Sequence, residues 1–247
     1  MISKLYHYTT LNNLALILSS QSIRFGRLDK VNDPAEGQSS DFHSLNIYIF
    51  VSCWTHNEDE NLALWNMYTP QMRGVRIELA LPIFNSYNIE DIENCLCQKE
   101  EYLNEISKIF IFGGQNIPYA MEYTADKEKL TPKIKTQIGL NVAQLGKCKS
   151  PIWAFEEEYR YRLDIVPIND NISEKYFPNR YMDLMDKAVP PLIDGYFIKL
   201  REDSFKSMKI LISPKSLPGD KEIVTALLKS YNDTATVLES SLKGFIR

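Results

Sequence analysis

The run Leu5-Tyr6-His7-Tyr8-Thr9-Thr10 is followed by an amphipathic stretch from Leu11 to Ser20 and then by Ser22-Ile23-Arg24-Phe25. This order of short strand, helix and second strand decides how the chain is read. Leu11, Leu14, Ile17 and Leu18 recur at helical spacing, which gives the helix one buried face, and Thr10 or Thr9 is available to cap it. A histidine at a strand end, followed by a hydroxyl residue that caps the next helix, aims an imidazole into a cleft. The alternative for His7 is a ring satisfied by a backbone carbonyl. Downstream, Asn32-Asp33-Pro34-Ala35-Glu36-Gly37 reads as a proline turn in which Asp33 and Glu36 either bond local backbone or line a cleft with Asn32 beside His7.

Outward from this segment, Ile47 to Trp54 is β-rich, Glu60 to Tyr68 is a helix that stops before Pro70, and Gly74 to Leu81 alternates as a strand. Ile89 to Phe112 is expected to be a charged helix, Ile117 to Tyr123 a strand, and Asp126 to Gly146 a further helix. A strand follows at Glu158 to Ile165, and Asn169 to Pro191 is polar and irregular. Strands at Gly195 to Leu200, Met208 to Ser213 and Thr234 to Leu238, with a helix from Gly219 to Tyr231, complete the chain. Strands mixed with helices without a regular βαβ rhythm indicate an α+β fold with a mixed or antiparallel sheet. The expected organisation is one domain over 1–247, with an N-terminal αβ part (1–88), a helical insertion (89–150) and a C-terminal β-rich part (151–247).

The 247 residues, 44% hydrophobic and 24% charged, suffice for a substantial core. A net charge of -4 argues against a generally basic nucleic-acid binder. Cys53, Cys95, Cys97 and Cys148 lack Cys-x-x-Cys spacing, so free thiols in a reducing cytoplasm are expected. No leader-like segment and no long apolar run appears, so no membrane association is expected. Glycine-rich phosphate-binding motifs are absent. With three histidines and no His-x-x-x-His, no metal site is expected.

Two further constellations carry chemistry. Trp65-Asn66-Met67-Tyr68 places two aromatics on one helix face, as core or as a shelf for a ring. In Trp153-Ala154-Phe155-Glu156-Glu157-Glu158-Tyr159-Arg160 the acids lie among aromatics at a strand start, where alternate residues share a face, so Glu156 and Glu158 are expected to point the same way. Crowded carboxylates beside apolar rings acquire shifted pKa values, as general-base or oxocarbenium-stabilising groups require.

Taken in order, the His7 segment, Phe25, Asn32-Asp33-Pro34-x-Glu36-Gly37, Ser52, Trp65-x-x-Tyr68, Gly74-Val75, Trp153-x-x-Glu156-x-Glu158-Tyr159-Arg160 and Ile212-x-Pro214 resemble the prokaryotic family known as domain of unknown function 2971. The arrangement is also similar, at greater distance, to the His-Tyr-Glu organisation of ADP-ribosyltransferases. That similarity implies an ADP-ribosyltransferase-like fold and an enzyme that cleaves the nicotinamide bond of NAD, its substrate. ADP-ribose would pass to a protein or nucleic acid, as in a toxin or anti-phage effector, or to water, as in an NAD glycohydrolase. Glu158 or Glu156 would stabilise the ribose. His7, with Tyr8, Thr9 and Ser52, would hold NAD, and Tyr68, with Trp65 as second choice, would stack on nicotinamide. The other reading is a binding protein that keeps the cleft and holds a nucleotide, or nucleic acid through Arg160 to Arg162, without turnover.

Overall fold

A computed structural model of the chain describes residues 2–89, 92–104, 107–137, 139–168 and 187–246. Its main sheet contains β1 (Lys4–Thr9), β2 (Ser22–Arg27), β3 (Ile49–Thr55), β4 (Val75–Ala80), β5 (Gln98–Tyr102), β6 (Lys108–Gly113), β7 (Tyr119–Ala120), β8 (Glu158–Ile168), β9 (Gly195–Lys199), β10 (Lys209–Ile212) and β11 (Thr236–Glu239). Helices are α1 (Leu11–Ser20), α2 (Leu62–Tyr68), α3 (Lys127–Leu130), α4 (Glu202–Lys206) and α5 (Pro218–Tyr231). The fold is therefore α+β. The sheet runs β11-β10-β4-β1-β3-β8-β6-β5, with β7 on β8 and the β2–β9 pair on β3. Its pairings are antiparallel except β10 with β11.

Several elements follow from local chemistry. Thr10, not Thr9, caps α1, its hydroxyl accepting from the Asn13 amide at 3.1 Å, while Leu14, Ile17 and Leu18 are buried as their spacing requires. At the start of α5, Pro218 occupies the first turn and Asp220 accepts from the Leu217 amide at 2.8 Å; Val224 and Leu228 then face the core. The larger apolar cluster joins these helices to the inward residues of β1, β4, β8 and β10, including Leu5, Ile77, Leu163 and Ile210. A smaller cluster under α2 contains Tyr8, Leu64, Trp65, Met72 and Leu211.

The middle of the chain departs from the sequence reading. Among the described residues, the expected helix over Ile89 to Phe112 is instead a strand at Ile92–Cys95 followed by β5 and β6, and in the expected helix over Asp126 to Gly146 only α3 is α-helical. Thus 89–150 is not a helical insertion. Isoleucines 109 and 111 are buried in alternation along β6, whereas β5 is a polar strand at the sheet edge, and its charges resemble those of a solvated helix. The expected strand over Ile117 to Tyr123 is split into β7 and a pair at Glu122–Tyr123 with Cys148–Lys149. Within Asn169 to Pro191, residues 169–186 lie outside the described residues.

β3 positions the site. Along one edge it pairs with β8 from Ile49 to Thr55. On the other edge it meets β1 only at Thr55 and β2 only at Phe50 and Val51. The sheet consequently forks between β1 and β2, and among the described residues the stretch 52–54 of β3 has no strand partner on that edge.

Candidate functional site

The imidazole of His7 fills the fork: its Nδ1 lies 2.9 Å from the carbonyl oxygen of Cys53 and replaces the missing ladder bond. Because a carbonyl can only accept, Nδ1 carries the proton and Nε2 of the neutral ring is an acceptor. Burial lowers the pKa of His7, with the Cys53 bond acting weakly against it, so the ring stays neutral. The Trp54 ring stands 5.1 Å away, oriented by a 2.9 Å bond from its Nε1 to the hydroxyl of Ser52.

A cavity of about 60 Å³ opens at this fork, lined by Tyr6, His7, Tyr8, Cys53, Trp54 and Thr55 from the sheet, Leu64 and Tyr68 from α2, and Glu156 and Glu158. At about 10–15 Å³ for each water, it has room for a few waters or the edge of one flat ring. Asn61 fixes α2 above it. The Asn61 side chain caps the helix and donates to the Phe155 carbonyl at 2.7 Å, which sets Tyr68 opposite Glu156.

Glu156 and Glu158 converge, but not by strand alternation. Glu156 ends a 3-10 helix over Pro151–Glu156, Glu157 takes a left-handed turn at φ 43°, and Glu158 opens β8. This local twist brings both carboxylates to Lys149, whose Nζ is 2.5 Å from Glu156 and 2.7 Å from Glu158. The Tyr68 hydroxyl donates to the other oxygen of Glu156 at 2.7 Å. Arg160, fully buried, donates to both oxygens of Glu158 and to Glu36. Three carboxylates and two cations thus share one buried cluster.

The two glutamates are electrostatically unlike. Burial opposes ionisation of Glu158, but Arg160 and Lys149 outweigh it and hold the carboxyl down at about 2. Burial raises the pKa of Glu156, the single cation Lys149 offsets this in part, and the charge of Glu158 adds to it. The result is a fixed anion beside a carboxyl group that binds a proton more readily. Burial and Glu156 also push the Tyr68 hydroxyl far up, so it remains a donor.

Of the residues singled out from the sequence, His7, Tyr8, Tyr68, Glu156 and Glu158 line the one cavity. The others do not. Thr9 is buried and accepts from the Asn13 side chain, and Ser52 acts only through Trp54. Trp65 is core: it is fully buried, meets Tyr8 edge-on and donates to Glu60 at 3.0 Å, so it offers no ring shelf. Asn32 is exposed, and Asp33 closes its own turn by accepting from the Ala35 amide. Glu36 instead reaches Arg160, so the Asn-Asp-Pro-x-Glu-Gly turn is a tie between distant segments. Gly37 allows that approach at φ +70°, where a Cβ would lie 2.5 Å from Leu28.

Arg160 and Arg162 form no basic surface. Arg160 is enclosed, and Arg162 is occupied by Asp164 and by the carbonyls of Leu145 and Val142. The sequence reading also overlooked Trp54 and Lys149. The alternation of Ser52 and Trp54 along β3 signals the first, whereas no local pattern marks Lys149. Among the described residues no cluster of His, Cys, Asp and Glu is placed to hold a metal, and no helix is long and apolar enough to cross a membrane. No family model matches the chain, and neither the curated proteins nor the solved structures contain a match.

Proposed function

We propose that the fork cavity is the site of an ADP-ribosyltransferase-like enzyme that cleaves the nicotinamide–ribose bond of NAD. One observation carries the reading. His7, Tyr68, Glu156 and Glu158, singled out from distant segments by their similarity to the His-Tyr-Glu arrangement, line a single cavity with an aromatic wall. The acceptor of ADP-ribose is a protein or nucleic acid, which suits a toxin or phage-defence effector, and the chain belongs on this reading with the domain of unknown function 2971.

The residues divide the work as follows. Nε2 of neutral His7 accepts a hydrogen bond from a ribose hydroxyl, and Trp54 and Tyr68 supply ring surface. As the bond from C1′ to the nicotinamide nitrogen breaks, its electron pair leaves on the nitrogen and the base departs neutral. Positive charge then develops on the ribose, where the net negative cluster stabilises it. A hydroxyl or amine of the acceptor, or water, bonds to C1′ and gives its proton to Glu156. Glu156 fits this task better than Glu158, whose charge is already committed to Arg160 and Lys149.

The small cavity and the neutralised Glu158 favour a second reading, in which the cleft holds a nucleotide without turnover. Incubation with NAD labelled in the nicotinamide ring separates the two. Transfer or hydrolysis releases labelled nicotinamide, and Glu156→Gln stops the release while leaving a folded protein. Binding of NAD with no release at any pH supports the second reading, and equal release by Glu156→Gln removes Glu156 from the chemistry.

A further inference from the structure

Lys149 is the only cation among the described residues within ion-pair distance of Glu156. Its side chain is 6% exposed and lies against Glu156, Glu158 and, at 3.6 Å, Glu36, with the ring of Trp153 5.4 Å away. Its backbone is fixed by parallel pairing of Cys148–Lys149 with Glu122–Tyr123. Arg160 already serves Glu36 and Glu158, so pairing those two does not require a second cation. Glu156 does.

We propose that Lys149 is a positioning residue that divides the labour of the two glutamates: with Arg160 it pins Glu158 as a fixed charge, and it sets Glu156 as the carboxyl group that exchanges a proton in the cavity. This rests on the NAD-cleaving reading of the site. The titratable groups facing Glu156 are Lys149, Glu158, Tyr68 from α2 and Tyr123 from the neighbouring strand pair, with Cys53, Arg160 and Glu36 around Glu158. The cluster carries three carboxylates against two cations. Without the ammonium the excess of negative charge doubles, and Glu156 keeps its proton to higher pH, where it can accept none.

The test compares the pH profile of nicotinamide release from NAD in the wild type, Lys149→Met, Lys149→Arg, Glu36→Gln and the Lys149→Met/Glu36→Gln pair. Lys149→Met should move the acid limb of kcat upward by about 1–3 pH units with a smaller change in KM. Lys149→Arg should restore the limb, and the double variant should bring it back because the excess charge returns to that of the wild type. Glu36→Gln alone should move the limb downward. A uniform loss of kcat at every pH with an unmoved limb overturns the proposal, as does failure of both rescues. Should Lys149→Met not fold, the opposite shift in Glu36→Gln and the retained limb in Lys149→Arg decide the matter. If the wild type releases no nicotinamide at all, the NAD reading fails separately. The titration of the Glu156 carboxyl, followed by carbon-13 NMR, then decides the role of Lys149: a titration unmoved by Lys149→Met overturns it.

Discussion

Replacing Arg160 with methionine keeps most of the apolar stem and removes the guanidinium from between Glu36 and Glu158. Arg160 is fully buried and bidentate on Glu158, so the substitution strands two enclosed carboxylates with Lys149 as their one remaining cation among the described residues. Removing one partner of a buried ion pair costs about 3–5 kcal/mol, a large share of the 5–15 kcal/mol typical of a folded domain. The Glu158 carboxyl points the same way, since Arg160 and Lys149 together hold it down at about 2 against the opposing effect of burial. A depressed carboxylate contributes its stability above the unfolded pKa and loses it as pH falls through the folded one, here from 4.5 towards about 2. The urea midpoints of wild type and Arg160→Met, followed by tryptophan fluorescence, should therefore lie furthest apart near neutrality and converge in strong acid. Adding Glu36→Gln should recover part of the loss, because it removes one stranded charge. A cost below about 1 kcal/mol at neutral pH, against the range expected for a buried pair, contradicts the central place given to Arg160. So does a cost that stays constant down to strong acid.

Other perturbations test separate parts of the molecule. His7→Ala leaves the Cys53 carbonyl at the fork without its partner and should cost about 1–3 kcal/mol in urea unfolding; an unchanged midpoint would show that the ring does not close the fork. Gly74→Ala should destabilise β4, since a Cβ there would lie 2.4 Å from the Thr9 carbonyl oxygen and 2.6 Å from the Thr69 side chain. A drop of about 1–3 kcal/mol is expected from such overpacking, and calorimetry checks it. Tyr68→Phe retains the ring but loses the donor to Glu156. Because that bond favours the ionised carboxylate, the acid limb of nicotinamide release should move upward, and a limb that stays in place argues against contact between the two groups during turnover.

What the sequence disclosed, and what it hid, follows from the range of the interactions. β1, α1 and β2 are visible because Leu14, Ile17 and Leu18 repeat at helical spacing and Thr10 is a capping residue; β4 and β10 alternate or run apolar within a few residues. The edge strand Gln98–Tyr102 misleads because edge strands need charge for protection, and its Lys-Glu-Glu run matches an exposed helix face equally well. Strand alternation in the sequence points to the convergence of Glu156 and Glu158, but the structure reaches it by another route. It depends on the left-handed backbone of Glu157, a conformation to which glutamate gives no clue. Lys149 and Glu36 were beyond reach or misplaced for the same physical cause. Their partners are set by the packing of the turn at Asp33–Gly37 and the Cys148–Lys149 strand against β8, and nothing in the local pattern of either segment encodes that meeting. Trp65 was separable from Tyr68 only by burial, since both share the helix face the sequence shows.

The most direct test of the account is a crystal structure of the Glu156→Gln protein with NAD, a variant chosen to halt turnover. Density for the nicotinamide end of the dinucleotide is expected in the fork between β1 and β2, bounded by His7, Trp54, Tyr68 and residue 156, with a ribose hydroxyl on Nε2 of His7. NAD seated elsewhere, with the fork cavity unaltered and His7 without a ligand contact, would contradict it.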